Sequence, residues 1–152
     1  MLGCSVEDPV LHVCGGLARE YPYSGGFGSK DFTLDLDPAV CPDFLLDARK
    51  QWPSFGARLP FLQPLFWKGI LIDSPYSPED ARKYPPGESV YPTPEQLLKR
   101  ATEVLSPGCR VGIIHYLWPR PVPGLSSEKG VFAVGTGRNG RARWFVVFER
   151  TA

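Results

Sequence analysis

The stretch "GILIDSPYS" (69–77) ends an apolar run in a carboxylate, a serine, a rigid proline and an aromatic ring. Asp73 offers a hydrogen-bond acceptor there, Pro75 fixes a turn, and Tyr76 supplies a flat surface for stacking. Other apolar runs end in residues of similar promise. The first closes on Gly15-Gly16, the second on Asp35 and Asp37, the third on Asp47 and the fifth on His115. One acid at a strand exit is ordinarily a cap or a loop residue. Successive exits made of glycines or acids form a pattern, because ligands of open α/β sheets bind outside the carboxyl ends of the strands. His115 has the pKa range of a general base, although a lone histidine at a strand end is more often structural. Trp67 and Trp118 have faces that could stack a base, but tryptophans near prolines more often serve packing.

The elements that must position these residues follow from the pattern of the runs. "PVLHVC" (9–14), "DFTLDLD" (31–37), "DFLLDA" (43–48), "KGILID" (68–73) and "CRVGIIHY" (109–116) are largely continuous rather than alternating in hydrophobicity. That predicts strands covered on both faces, as in a parallel sheet. "TPEQLLKRATEVL" (93–105) predicts a helix: Thr93 is an N-cap, Pro94 fits the first position, Gln96 completes a capping box, and Leu97, Leu98, Ala101 and Leu105 share a face. A shorter helix is expected from Ser77, and residues 57–66 are a weaker candidate because Pro60 and Pro64 interrupt them. The tail "GVFAVGTGRNGRARWFVVFER" predicts an antiparallel hairpin. The expected fold class is therefore α/β, with one domain over residues 1–152.

Composition sets outer bounds. The chain has 152 residues, 43% of them hydrophobic and 22% charged, with no segment as long and apolar as a membrane span. Its beginning lacks the basic start of a signal peptide, and its four cysteines form no C-x-x-C pair. We therefore expect a cytoplasmic protein with no metal site. Residues 1–107 hold 10 basic and 14 acidic side chains, and residues 108–152 hold 7 basic and 2 acidic. That basic end could face phosphates, or it could be a solvated hairpin edge protected against strand pairing.

The order and spacing of "LDLDP", "LLDAR", "DSPYSPEDA", "VLSPGCRVGIIHY" and "FVVFER" resemble the class I S-adenosylmethionine-dependent methyltransferases, and within them small DNA-methylase-like proteins. The resemblance covers roughly Val10 to Arg150. It implies a minimal Rossmann-like fold, a mostly parallel sheet closed by a C-terminal antiparallel hairpin, with reduced helices. The implied cofactor is S-adenosyl-L-methionine. Its methionine part would lie along His12, Cys14, Gly15 and Gly16, its ribose on Asp35 with Asp37 as fallback, and its adenine amino group on Asp47. The implied catalytic motif is Asp73-Ser74-Pro75-Tyr76, similar to the Asp-Pro-Pro-Tyr of amino-methylating enzymes.

A nucleobase amino group is a poor nucleophile because its lone pair is delocalised into the ring. On this resemblance, Asp73 and the Ser74 carbonyl would accept its hydrogens and Tyr76 would stack on a base, flipped out if it comes from a duplex. The acceptor implied is adenine N6 or cytosine N4, with DNA favoured as the partner. The chain has no insert for target recognition, so either a protein partner or the basic end would supply it, or the substrate is small or single-stranded. Three features depart from the pattern: "LHVCGG" has His12 and Cys14 where an acid and a glycine are usual, a glycine-rich "SGGFG" occupies the place of the first helix, and Ser74 replaces a proline. These features also suit a non-catalytic module that binds nucleic acid or a protein, while an RNA or small-molecule methyltransferase is a further alternative. A nicotinamide-dependent enzyme fits worse, since G-x-G-x-x-G is absent after the first run.

Overall fold

Strand boundaries follow local hydrogen-bond competition more closely than hydrophobicity. The computed structural model describes residues 2–5, 7–20, 30–53, 66–83, 91–135 and 142–152. The first strand, β1, is Val10–Val13, and all four of its residues are buried. The second, β2 (Asp31–Asp35), stops two residues short of the acidic run's end. Its last residue causes the stop: Asp35 Oδ1 accepts from the N–H groups of Leu36 (2.7 Å) and Asp37 (3.0 Å), turning the chain out of the ladder. Asp37 then caps a short 3₁₀ turn, Pro38–Val40. The third strand, β3, shrinks to Phe44–Leu45, because Asp47 takes the N–H of Arg49 (2.9 Å) and closes a turn there.

β4 (Trp67–Ile72) and β5 (Leu105–His115) complete the parallel part. The expected hairpin follows as β6 (Gly130–Gly135) and β7 (Ala142–Glu149), paired antiparallel, with β7 also antiparallel to β5. The sheet order is β3-β2-β1-β4-β5-β7-β6. The chain winds outward from β1 to β3, then crosses to β4 on the other side. The exits of β1 and β4 therefore flank the topological switch point, where such sheets leave a crevice.

Two helices are described. α1 (Pro78–Ala81) is one turn, capped by the Ser77 side chain. α2 (Pro94–Val104) has the full capping box: Thr93 Oγ1 accepts from Gln96 N–H at 3.2 Å, and Gln96 Oε1 accepts from Thr93 N–H at 3.0 Å. It buries Leu97, Leu98, Ala101 and Val104. Leu105, expected on the same helix face, is instead extended and opens β5 directly. Residues 106–108, "SPG", form a bulge within β5. The register jumps from Trp67↔Leu105 to Gly69↔Arg110, and the bulge is tied to the chain end by Gly108 N–H to Arg150 O (2.8 Å).

Leu11, Val13, Leu34, Ile70, Ile72, Val111 and Ile113 form the core with α2, and Val146 and Phe148 extend it across β7. Burying each large apolar side chain contributes about 1.5–3 kcal/mol. Trp67 is fully buried and its Nε1 donates to Pro53 O (2.8 Å), which makes it a packing residue rather than a stacking platform. The helix expected over 57–66, the "SGGFG" loop and the hairpin tip lie outside the described residues. Among the described residues no helix is long and apolar enough to cross a membrane.

The capping box generates a direct check. Thr93→Ala should cost about 1 kcal/mol, or roughly 2–4 °C in melting temperature for a domain of this size. An unchanged melting curve would show that tertiary packing alone holds α2.

Candidate active site

A cavity of about 520 Å³ opens at the switch point, in the volume range of a small-molecule pocket. The structure brings Cys14, Gly15, Gly16, Asp35, Asp37, Asp47, Asp73, Ser74, Pro75 and Tyr76 onto its wall. These residues come from separate strand exits. What joins them is backbone geometry at the end of β1.

Cys14 and Gly16 both have positive φ, +54° and +48°. A left-handed backbone costs an L-residue about 1–2 kcal/mol, so a glycine in place of Cys14 would sit there without strain. The turn aims the Gly16 N–H at Asp35 Oδ2, 2.9 Å away. A Cβ on Gly15 would crowd His12 O at 3.2 Å and Thr33 at 3.3 Å, whereas one on Gly16 would meet no protein atom within 4 Å. Gly15 is thus kept bare by packing, and Gly16 by its backbone conformation, with open space beside it.

His12 stands apart from the other expected cofactor residues. It is buried within β1 and does not line the cavity; its Nε2 lies 3.4 Å from Asp31 Oδ2. Burial pushes its pKa down and Asp31 pulls it partly back. The cause is strand alternation: His12 shares the sheet face of Val10, not the position of the turn that follows Val13.

The acids differ in what they still offer. Asp35 spends three acceptor positions on backbone N–H groups, those of Gly16, Leu36 and Asp37. Asp37 uses Oδ1 to cap Ala39 (2.9 Å), and its Oδ2 has no partner among the described residues. Asp47 is clamped by the Arg49 guanidinium, with Nη2 to Oδ2 at 2.8 Å, and that pairing holds its pKa below the ordinary value.

At the β4 exit, Asp73 N–H donates to Val13 O (3.2 Å), extending the parallel ladder and fixing the carboxylate beside the β1 turn. Burial pushes the Asp73 pKa up; the Tyr76 hydroxyl, donating to Oδ1 at 2.7 Å, and the Arg143 guanidinium oppose it. Arg143, on β7, donates through Nη1 to the Tyr76 hydroxyl and lies over its ring at 4.6 Å. Tyr116 sits 4.4 Å from the same ring. The ring expected to stack on a base is therefore engaged by protein groups. The sequence placed Arg143 in the basic end and Tyr116 at the close of "CRVGIIHY" without assigning either to this site, and it gave no role to Tyr91.

His115 is fully buried and does not line the cavity. Its Nδ1 accepts from Leu117 N–H (3.0 Å), which places the proton of the neutral ring on Nε2, 3.3 Å from the Tyr91 hydroxyl. Tyr91 in turn donates to the Tyr76 carbonyl (3.3 Å). Burial pushes the His115 pKa down. The residue supports the motif's backbone rather than acting as a base. Trp118 packs on Trp144 at 5.1 Å, with Nε1 on Glu128 (3.1 Å). Among the described residues, no group of three His, Cys, Asp or Glu could hold a metal.

Comparison with solved structures places the fold. TrmN from Thermus thermophilus aligns over 94% of the chain with a TM-score of 0.59 and 19% identity, although the chain spans only 44% of that protein. The fold is that of the methyltransferases. An rRNA methylase from Streptococcus thermophilus aligns over 96% of the chain and 89% of its own length, with a TM-score of 0.52 and 8% identity. A TehB-like SAM-dependent methyltransferase from Corynebacterium glutamicum aligns over 97% and 83%, at 0.52 and 14%. No family model and no curated protein matches the sequence. At these identities the likeness establishes the methyltransferase fold, and the chemistry rests on the site itself.

Two outcomes follow from the site's energetics. Cys14→Gly should hold or raise the melting temperature, since relief of the positive φ offsets the backbone entropy of glycine, about 0.5–1 kcal/mol; a clear fall would contradict the strain. For Asp73 the folded pKa is raised, so the stability it contributes is complete below the unfolded carboxylate pKa and lost as pH rises through the folded value. Asp73→Asn should therefore raise the melting temperature at pH 7. The gain should vanish below about pH 4, and a loss at pH 7 would contradict the burial cost.

Proposed function

We propose that the protein is an S-adenosylmethionine-dependent methyltransferase whose acceptor is a nucleobase amino group. The observation that carries this reading is the position of Asp73 beside the Gly15-Gly16 turn on the cavity wall, both fixed by one extended ladder. The residues suit that cofactor. Five carboxylates line the cavity, those of Asp35, Asp37, Asp47, Asp73 and Asp80, which favours a cationic ligand, and the bare Gly16 leaves room for close backbone approach. When bound, the cofactor supplies an electrophilic methyl group on a sulfonium sulfur.

The chain's residues do the rest. The β1 turn would hold the methionine part, with Asp37 the better-placed acceptor for a ribose hydroxyl and Asp47 near the adenine. Asp73 would accept a hydrogen from the acceptor amino group, localising its lone pair. Tyr76 fixes the carboxylate's orientation by holding Oδ1, so Oδ2 is the oxygen left for the acceptor. Holding donor and acceptor in line supplies most of the effect, because such transfers depend chiefly on positioning.

The choice between DNA and RNA is open to the same motif. The resemblance read from the sequence favours DNA, and the rRNA methylase among the neighbours sets RNA beside it. The basic balance of residues 108–152 suits either phosphate backbone.

The experiment is a thermal-shift titration with S-adenosylhomocysteine followed by labelled methyl transfer to mixed RNA and DNA. At 100 times its dissociation constant the ligand should stabilise the protein by about 2.7 kcal/mol. Gly16→Ala should weaken the shift and, because position 16 has positive φ, also lower the melting temperature of the free protein. Asp73→Asn should keep the shift and lose transfer at least about 100-fold, the scale of a lost transition-state contact. No shift at millimolar ligand would reject the reading.

A further inference from the structure

Arg143 is an anomaly in the cavity. It is the one cation among the described lining residues, facing five carboxylates, yet none lies within salt-bridge distance of it. Its described hydrogen bond goes to the Tyr76 hydroxyl, a neutral group. A guanidinium has five N–H donors. Its Nε is shielded from solvent and has no partner among the described residues. A charged donor left buried without a partner is costly.

A second orphan lines the same cavity. The Ser74 hydroxyl belongs to a residue that is 2% exposed, and it has no partner among the described residues. Serine stands where the amino-methylating motif has proline, so this donor is an addition to the motif rather than part of it. Both residues line the cavity with Asp73 and Tyr76. Among the described residues, no other residue of the cavity wall has a buried side-chain polar atom without a partner.

Resting on the function proposed above, we propose that Arg143 binds the phosphate of the acceptor nucleotide, making the acceptor end of the cavity a base-plus-phosphate subsite. The geometry is suited to it. Stacking on Tyr76 at 4.6 Å and Tyr116 at 5.8 Å holds the guanidinium plane, leaving in-plane N–H groups for a two-pronged contact with phosphate oxygens. Its position on β7 places the phosphate beyond Tyr76, with the base directed toward Asp73. A phosphate held through Nε and a terminal N–H would satisfy the shielded donor while the guanidinium stays stacked on Tyr76.

The test is calorimetric titration of the protein with AMP and adenosine, and with CMP and cytidine, with and without saturating S-adenosylhomocysteine. With the cofactor product bound, each monophosphate should bind at least tenfold more tightly than its nucleoside. Arg143→Gln should bring that ratio near one, and Arg143→Lys should retain part of it. Affinity for S-adenosylhomocysteine should stay within threefold in both variants, and inorganic phosphate should bind more weakly than AMP. Equal affinities for nucleotide and nucleoside, a ratio that survives Arg143→Gln, or inorganic phosphate as tight as AMP would overturn the subsite. A loss of S-adenosylhomocysteine binding in Arg143→Gln would instead give this cation to the cofactor's carboxylate. If the wild type fails to bind S-adenosylhomocysteine, the function proposed above falls, while the Arg143-dependent ratio without it still decides the subsite.

Discussion

The Asp35 carboxylate holds the cavity together. One oxygen takes the Gly16 N–H from the end of β1, and the other takes two N–H groups from the turn after β2. Hydrogen bonds to a charged group contribute about 1.5–3 kcal/mol each, and here they join two adjacent strand exits that backbone pairing no longer connects. The Gly16 bond forms because the β1 turn runs through left-handed backbone at Cys14 and Gly16. The same bond keeps the glycine backbone facing the cavity and leaves Asp37 with an open oxygen. A residue expected to grip a ligand thus spends most of its acceptor capacity on shaping the place where a ligand would sit.

The β4 exit follows a different logic. Asp73 is a carboxylate that burial works against, retained by a tyrosine hydroxyl and a nearby guanidinium. Such groups cost stability and persist where function needs them. The supporting shell is built from distant chain: Tyr91 from before α2, His115 and Tyr116 from the end of β5, Arg143 from β7. The antiparallel register that sets Trp144 opposite His115 brings its neighbour Arg143 to the β4 exit. The C-terminal hairpin, which adds two strands to the sheet, therefore also completes the motif.

Much of this was legible in the sequence because strand exits are local events. An apolar run that stops at an acid or a glycine marks the carboxyl end of a strand, and parallel pairing gathers such ends on one side. Gly15, Gly16, Asp35, Asp47 and Asp73 meet for that reason, and the Thr93 capping box was readable from three residues. His12 is a strand residue beside Asp31, as its type suggests, and not the cavity residue that the resemblance implies, because proximity to a glycine motif in sequence says nothing about which sheet face a strand residue takes. Leu105 was misread because helical spacing continues one residue past the point where β5 captures the backbone. Arg143 was legible only as part of the basic end; its contact with Tyr76 was not, since it spans 67 residues and depends on the register of β7. The competition that turns Asp35 inward was equally hidden, because its partners are backbone N–H groups that every residue carries.

The most direct test of this account is a crystal structure with S-adenosylhomocysteine bound. It should show the methionine part over Gly15 and Gly16, a ribose hydroxyl on Asp37 and the sulfur facing Asp73 across open space. The ligand lying away from the switch-point cavity, or its sulfur turned from Asp73, would contradict it.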